Sequence, residues 1–144
     1  SGFNEQDHKD IAAFKARMDR IILPALEKKV EVLCDAEQSY LQAFIDSVVA
    51  QYADKYNKGT PLIANTIQNY LKDATYKIKF EVEKCQKLKM PFCLKMVRGA
   101  YMVEERKIAK EKGTESPVFD TKEGTDNSYN GNVEYLISKL GNNS

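Results

Sequence analysis

Phe92-Cys93-Leu94-Lys95-Met96-Val97-Arg98-Gly99-Ala100-Tyr101 is the stretch that decides the fold. Its first six residues form a short, mostly apolar run, and Arg98-Gly99 stops it with turn chemistry. The same shape occurs twice upstream. Val30-Glu31-Val32-Leu33-Cys34 stops at Asp35-Ala36-Glu37-Gln38, and Pro61-Leu62-Ile63-Ala64 stops at Asn65-Thr66-Ile67-Gln68. The runs begin near 30, 61 and 92, an interval of about 31 residues, which is the size of a βαβ unit.

Amphipathic helices fill the spaces between the runs. Residues 4–23 place Ile11, Phe14, Met18, Ile21 and Ile22 near one face, and Pro24 is expected to end or kink that helix. Leu41, Phe44, Ile45, Val48, Val49, Tyr52, Ala53 and Tyr56 recur at helical spacing, a stripe read as core, and Asn57-Lys58-Gly59-Thr60 closes it. A third helix runs through Leu71, Ala74, Ile78, Val82, Cys85 and Leu88, and a fourth covers roughly 102–112 and ends at Gly113. Residues 114–126 read as loop, before a last helix through Tyr129, Val133, Leu136, Ile137 and Leu140.

Apolar strands alternating with amphipathic helices imply a parallel sheet with helices outside it. An open doubly wound sheet and a (β/α)8 barrel both fit. Eight such units make about 250 residues, the usual barrel size. Three strands cannot close a barrel, so the outer two are expected to be open edges.

The 144 residues are 42% hydrophobic and 30% charged, with a formal net charge of +1, an ordinary globular composition. No basic run interleaves with aromatics, which argues against nucleic acid. No apolar stretch approaches the roughly 20 residues of a membrane-spanning helix. The start at Ser1-Gly2, without Met, reads as a tag scar behind which targeting information is lost. Cys34, Cys85 and Cys93 have no metal-ligand spacing and read as reduced, mostly buried thiols. His8 is the sole histidine and sits among polar residues, which removes His-based triads and His-rich metal sites.

In parallel α/β folds the C-terminal strand ends face one side, and ligands bind there. The polar residues after each run should therefore converge. Capping competes with that reading, since Asp35 with Gln38 and Asn65 with Gln68 both have capping-box-like spacing. Glu37 reads as a supporting or solvated carboxylate, and the Glu104–Lys112 stretch as a solvated helix face. Lys95 is harder to explain as scaffold. It lies inside a strand expected to be buried on both faces, so it must reach the mouth or find a partner. Gly99 is a turn residue that also permits close approach of a ligand.

Three linked segments carry a family resemblance over about residues 15–140. They are Cys34-Asp35-Ala36-Glu37-Gln38-Ser39-Tyr40, Asn65-Thr66-Ile67-Gln68-Asn69-Tyr70-Leu71-Lys72-Asp73-Ala74, and Lys95-Met96-Val97-Arg98-Gly99-Ala100-Tyr101-Met102 with Glu105-Arg106. They resemble the successive strand-end motifs of proline dehydrogenases of the eukaryotic mitochondrial type. Thr121, Glu123, Thr125 and Tyr129 resemble the following segment. The resemblance implies a (β/α)8 TIM barrel, of which this chain holds about strands three to five. It also implies FAD, oxidation of L-proline to Δ1-pyrroline-5-carboxylate by hydride transfer to the flavin, and a membrane quinone as electron acceptor.

By the same resemblance, Asp35 and Ala36 lie beside the isoalloxazine and Gln68 hydrogen-bonds the flavin ring. Lys95 takes the place of the basic residue at the N5 and O4 edge. Val97, Gly99 and Ala100 make backbone contacts to the cofactor. Tyr101 is an active-site aromatic, Met102 stands where bacterial relatives have Trp, and Thr125 lies near the adenosine half. Asp35, Lys95 and Tyr101 are the catalytic candidates. A cation near N5 and O4 favours reduced flavin. Ala43 and Ile67 stand where relatives usually have Pro and Tyr.

The paired arginines with which the family clamps the proline carboxylate have no counterpart here, since no Arg-Arg occurs in the chain. The isolated segment is therefore expected to be inactive. Two other readings compete: an assembly module whose open sheet edges pair with another chain or a second copy, and a carbonyl-processing barrel with Lys95 as a Schiff-base nucleophile.

Overall fold

The structure, a computed structural model, describes residues 4–140; Ser1-Gly2 lies outside them. Strands β1 (Val32–Cys34), β2 (Ile63–Gln68) and β3 (Leu94–Val97) pair in parallel in the order β1-β2-β3. They alternate with α1 (Glu5–Glu27), α2 (Ser39–Tyr56), α3 (Ala74–Leu88), α4 (Met102–Lys112) and α5 (Lys122–Lys139). This is the open α/β sheet that the 31-residue spacing implies, with β1 and β3 as its edges.

Register sorts the side chains. Leu33 pairs with Ala64, Thr66 with Lys95 and Gln68 with Val97, and these share one face; Cys34, Asn65 and Leu94, with Ile67 and Met96, share the other. The helices pack on the second face. There Ile67 meets Ala74, Ile78, Val82 and Leu136, flanked by Leu94 and Met96. Ile63 meets Ile22 and Val49, flanked by Val32 and Cys34. The face bearing Thr66, Gln68 and Lys95 is the one a closing barrel would turn inward.

Several local boundaries differ from the sequence reading. Pro24 lies inside α1 and does not end it. Proline lacks only its own N–H, and so close to the C-terminus the next turn survives. Lys28 N–H still reaches Pro24 O at 3.2 Å and Val30 N–H reaches Ala25 O at 2.8 Å. The helix stops where Lys29 turns left-handed, φ 55°. Strand β2 does not stop at Ala64; it continues through Asn65, Thr66, Ile67 and Gln68, all paired with β3. Helix α3 starts at Ala74, after Leu71 has formed an antiparallel bridge with Val118. Residues 114–126 are therefore not all loop: Thr121 caps α5 by accepting from Gly124 N–H at 3.0 Å, and α5 starts at Lys122.

The capping explanations also fail. Neither Asp35 nor Asn65 caps a helix. The N-cap residue of α2 is Gln38 and that of α3 is Asp73, neither with a side-chain cap bond.

Candidate functional site at the strand ends

The C-terminal ends of β1 and β3 are bridged over β2 by side chains. Asp35, just past β1, forms an ion pair with Lys95 of β3. Two residues on, Glu37 Oε2 accepts the Tyr101 hydroxyl at 2.6 Å. Gln38 Nε2 then donates to Glu104 Oε2 at 3.2 Å. Ser39 N–H and Oγ–H both donate to the Glu105 carboxylate, each at 2.6 Å. These four rungs link the β1–α2 loop to β3 and the start of α4.

Beneath them, β2 supplies the floor. Thr66 Oγ1 donates to Cys34 O at 2.7 Å, and Gln68 Nε2 donates to Glu37 O at 2.8 Å. Both side chains are buried. Asn65, in contrast, points to the helix side, where its Nδ2 reaches Asp46 Oδ1 of α2 at 2.7 Å. Of the polar residues expected to converge, Asn65 does not, because strand side chains alternate faces. Gln68 is two residues past Thr66 and so on the same face, and it does converge.

The burial of Lys95 differs from expectation. β3 is an edge strand with only partly buried residues, so its ammonium reaches the mouth partly exposed and meets Asp35 there. An ion-paired, partly exposed ammonium is unlike the desolvated setting that activates a Schiff-base lysine, which counts against the carbonyl-processing reading. At this exposure the pair contributes little stability; its consequence is placement of charge.

Tyr101 is the N-cap residue of α4. Its phenol pKa is raised, first by donation to the Glu37 carboxylate, then by desolvation and the charges of Glu37, Glu104 and Asp35. The neutral, donating phenol is the form held at the mouth.

Arg98-Gly99-Ala100 is exposed. Gly99 has φ +135°, and a Cβ there would come within 2.5 Å of the Tyr70 ring. The glycine is thus required by Tyr70, which is buried with its phenol pushed up to about 12, chiefly by desolvation. That reason is internal packing, a different one from the ligand approach read from the sequence. Arg98 is fixed by α5: its Nε lies 2.6 Å from Asp126 Oδ1, and its guanidinium sits 4.4 Å from the centre of the Tyr129 ring. Asp126 is held below the usual carboxylate range by hydrogen bonds from Lys122 and Arg98.

Val97 closes β3, Ala36 sits in the β1–α2 loop, and Met102 opens α4 with its side chain exposed. Thr125 is buried inside α5; its neighbour Asp126 is the residue that meets the strand end.

Two residues escape the reading by residue type. Glu105 is only 2% exposed, although the charged stretch around it suggests a solvated face. Its position, i+4 from Tyr101 in a helix that starts at a strand end, is the signal that it faces inward. Asn69 is fully buried; its Nδ2 donates to Val97 O at 2.9 Å and its Oδ1 accepts from Asn132 Nδ2 of α5 at 2.8 Å. It locks the end of β2 to β3 and α5, and only its place after Gln68 marks it in the sequence.

The chain matches the proline dehydrogenase family over residues 2–144. It is 39% identical over 137 residues to proline dehydrogenase 1, mitochondrial, of Dictyostelium discoideum, covering 94% of this chain and 24% of that protein. To the human protein of the same name it is 36% identical over 143 residues, covering 99% and 24%. The hydroxyproline dehydrogenase of Xenopus laevis is 32% identical, with 99% and 31% covered. Among solved structures, proline utilization A from Bdellovibrio bacteriovorus, inactivated by N-propargylglycine, superposes with a TM-score of 0.83 at 26% identity, over 90% of this chain and 14% of that one. The chain thus spans about a quarter of the length of the first two relatives. The chain belongs to the proline dehydrogenase family.

Proposed function

We propose that this chain forms one arc, about strands three to five, of a (β/α)8 barrel that oxidises L-proline to Δ1-pyrroline-5-carboxylate, and that the arc supplies part of an FAD pocket. The observation that carries the reading is the shared mouth: Asp35, Lys95, Gln68 and Tyr101 come from three different strand ends, Asp35 paired with Lys95 and both Gln68 and Tyr101 bonded to the nearby Glu37.

The donor set suits a flavin. Lys95 presents a cation on the inward-turning face, and Arg98 presents a second at the strand end. The backbone of Arg98, Gly99 and Ala100 is open to approach. When bound, the flavin supplies the hydride-accepting chemistry that no side chain can. Lys95 would face the edge on which negative charge develops, with Asp35 setting its position. Gln68, an amide with both donor and acceptor atoms, spends one N–H on Glu37 O and so is held in orientation. Val97, Gly99, Ala100, Met102 and Thr125 are the remaining proposed cofactor contacts. Tyr101, kept neutral against Glu37, keeps a hydroxyl at the mouth.

The mitochondrial names of the relatives support a mitochondrial protein; a quinone is the proposed electron acceptor. Hydroxyproline is the second substrate reading, favoured by the 32% identity to hydroxyproline dehydrogenases.

The test is flavin absorbance after adding FAD, on this chain and on a longer protein that supplies the remaining strands. The longer protein should turn yellow and bleach with proline, with bleaching weakened by Lys95→Met. A colourless longer protein would remove the reading. The competing assembly role predicts a stable complex through the edges β1 and β3; a cooperative monomer in size-exclusion chromatography counts against it.

A further inference from the structure

Glu105 is the deepest carboxylate among the described residues, and nothing in its own helix explains why it is there. At 2% exposure an ionised carboxylate is costly unless its oxygens are satisfied. Both are: Oε1 takes Ser39 N–H and Oε2 takes Ser39 Oγ–H. Ser39 is the first residue of α2, and α2 has no side-chain cap of its own. An acceptor is needed for the free N–H groups of a helix start, and negative charge is favoured there. Glu105 provides both from 66 residues away.

The consequence lies one turn back in each direction. Glu105 N–H bonds to Tyr101 O at 2.9 Å, so the carboxylate and the phenol ride on the same first turn of α4. On the other side, Ser39 ends the loop that begins at Asp35 and contains Glu37. Fixing Ser39 to Glu105 sets how far that loop can move from Tyr101 and Lys95. The Asp35–Lys95 and Gln38–Glu104 rungs are exposed and cannot do so alone; Glu37 is held at mid-loop by Gln42, Gln68 and Tyr101, and Glu105 holds the loop's far end.

We infer that Glu105 is a positioning residue: by clasping the start of α2 it holds Asp35 and Glu37 in register with Lys95 and Tyr101 at the mouth. This inference rests on the proposed flavin-dependent reading for its effect on turnover, and on the chain alone for its effect on the loop.

Two measurements separate those parts. In this chain, Glu105→Ala should speed amide hydrogen exchange at Ala36 to Ser39 by about tenfold or more, with β2 unchanged. Glu105→Gln keeps one carbonyl for Ser39 N–H and should restore most of the protection, whereas the shorter Glu105→Asp should not. In the longer protein, Glu105→Ala should lower kcat by about tenfold and shift the flavin band, while KM for proline moves less than about twofold, because misplacement near the reacting group acts on turnover. Loop exchange and kcat both within twofold of the parent, with only the melting temperature lowered, would reduce Glu105 to a structural residue and overturn the inference. Should Glu105→Ala fail to fold, Glu105→Gln against Ser39→Ala decides on the same readouts. A parent protein that binds no flavin would remove the functional reading, and hydrogen exchange in this chain would still decide the clasp.

Discussion

The Tyr101 hydroxyl donates to Glu37 Oε2 at 2.6 Å, joining the start of α4 to the loop after β1, two elements with no strand pairing between them. Between the two runs lies β2, whose Gln68 side chain bonds to the backbone of that same Glu37. One carboxylate residue thus gathers groups from all three strand ends.

That bond gives Tyr101 a raised pKa, so the sign is fixed. Protonated phenol is favoured in the folded chain; the contribution is complete below the ordinary tyrosine value, about 10, and is lost as pH rises through the raised folded value. An ultraviolet tyrosinate titration, wild type minus Tyr101→Phe, should show Tyr101 ionising above that ordinary value. Glu37→Gln should bring it back down. A difference titration centred at or below the ordinary value would refute the bond.

Gly99→Ala should destabilise the chain by about 2–4 kcal/mol, combining a positive φ with overpacking. The added methyl meets the Tyr70 ring at 2.5 Å. Urea melts are the measurement. Pairing the change with Tyr70→Leu should recover only part of the loss, because the φ of +135° stays. Full recovery would mean that backbone strain contributes nothing.

Asn57 anchors the entry to β2: its Nδ2 donates to Ile63 O at 2.7 Å, and its Oδ1 accepts from Leu62 N–H at 3.1 Å and Ile63 N–H at 3.0 Å. The residue is buried. Asn57→Ala leaves those groups unpaired and should cost about 2–4 kcal/mol. Asn57→Asp should do nearly as badly, since a carboxylate cannot donate to Ile63 O. Denaturation midpoints for the two variants check this, and an aspartate variant as stable as wild type would contradict the donor assignment.

Asp126 has a lowered pKa, from Lys122 first and Arg98 next. Its contribution is present above the unfolded aspartate value, about 3.9, and is lost as pH falls through the lowered folded value. The melting temperature of Asp126→Asn should therefore lie below wild type at neutral pH, and the gap should close only in strong acid. High salt should shrink the gap at neutral pH, as for any exposed pair.

Period and composition carried the architecture. Three apolar runs 31 residues apart, with helical stripes between them, leave a parallel sheet as the only way to bury both. The placement of Asp35, Lys95 and Tyr101 at one mouth follows from that topology, because parallel strands end on the same side. Boundaries were less legible. The polar string Asn65-Thr66-Ile67-Gln68 looks like the end of a strand, yet pairing with β3 keeps it in the sheet, where each polar group finds a partner. A single proline near the end of α1 did not break it, because one missing N–H is outweighed by the bonds on either side.

What the amino-acid order determined by itself is the repeating strand-helix plan and the motifs that mark the proline dehydrogenase family, since both depend on local periodicity and residue type. What only the tertiary structure decided is which charges are buried and which groups meet. Glu105 sits in a stretch of Lys and Glu whose residue types point to water; its i+4 spacing from Tyr101 marks only the face, and it becomes the cap of α2 because a helix start 66 residues away needs an acceptor. Such a need is created when two elements dock, so it leaves no periodic trace in either of them.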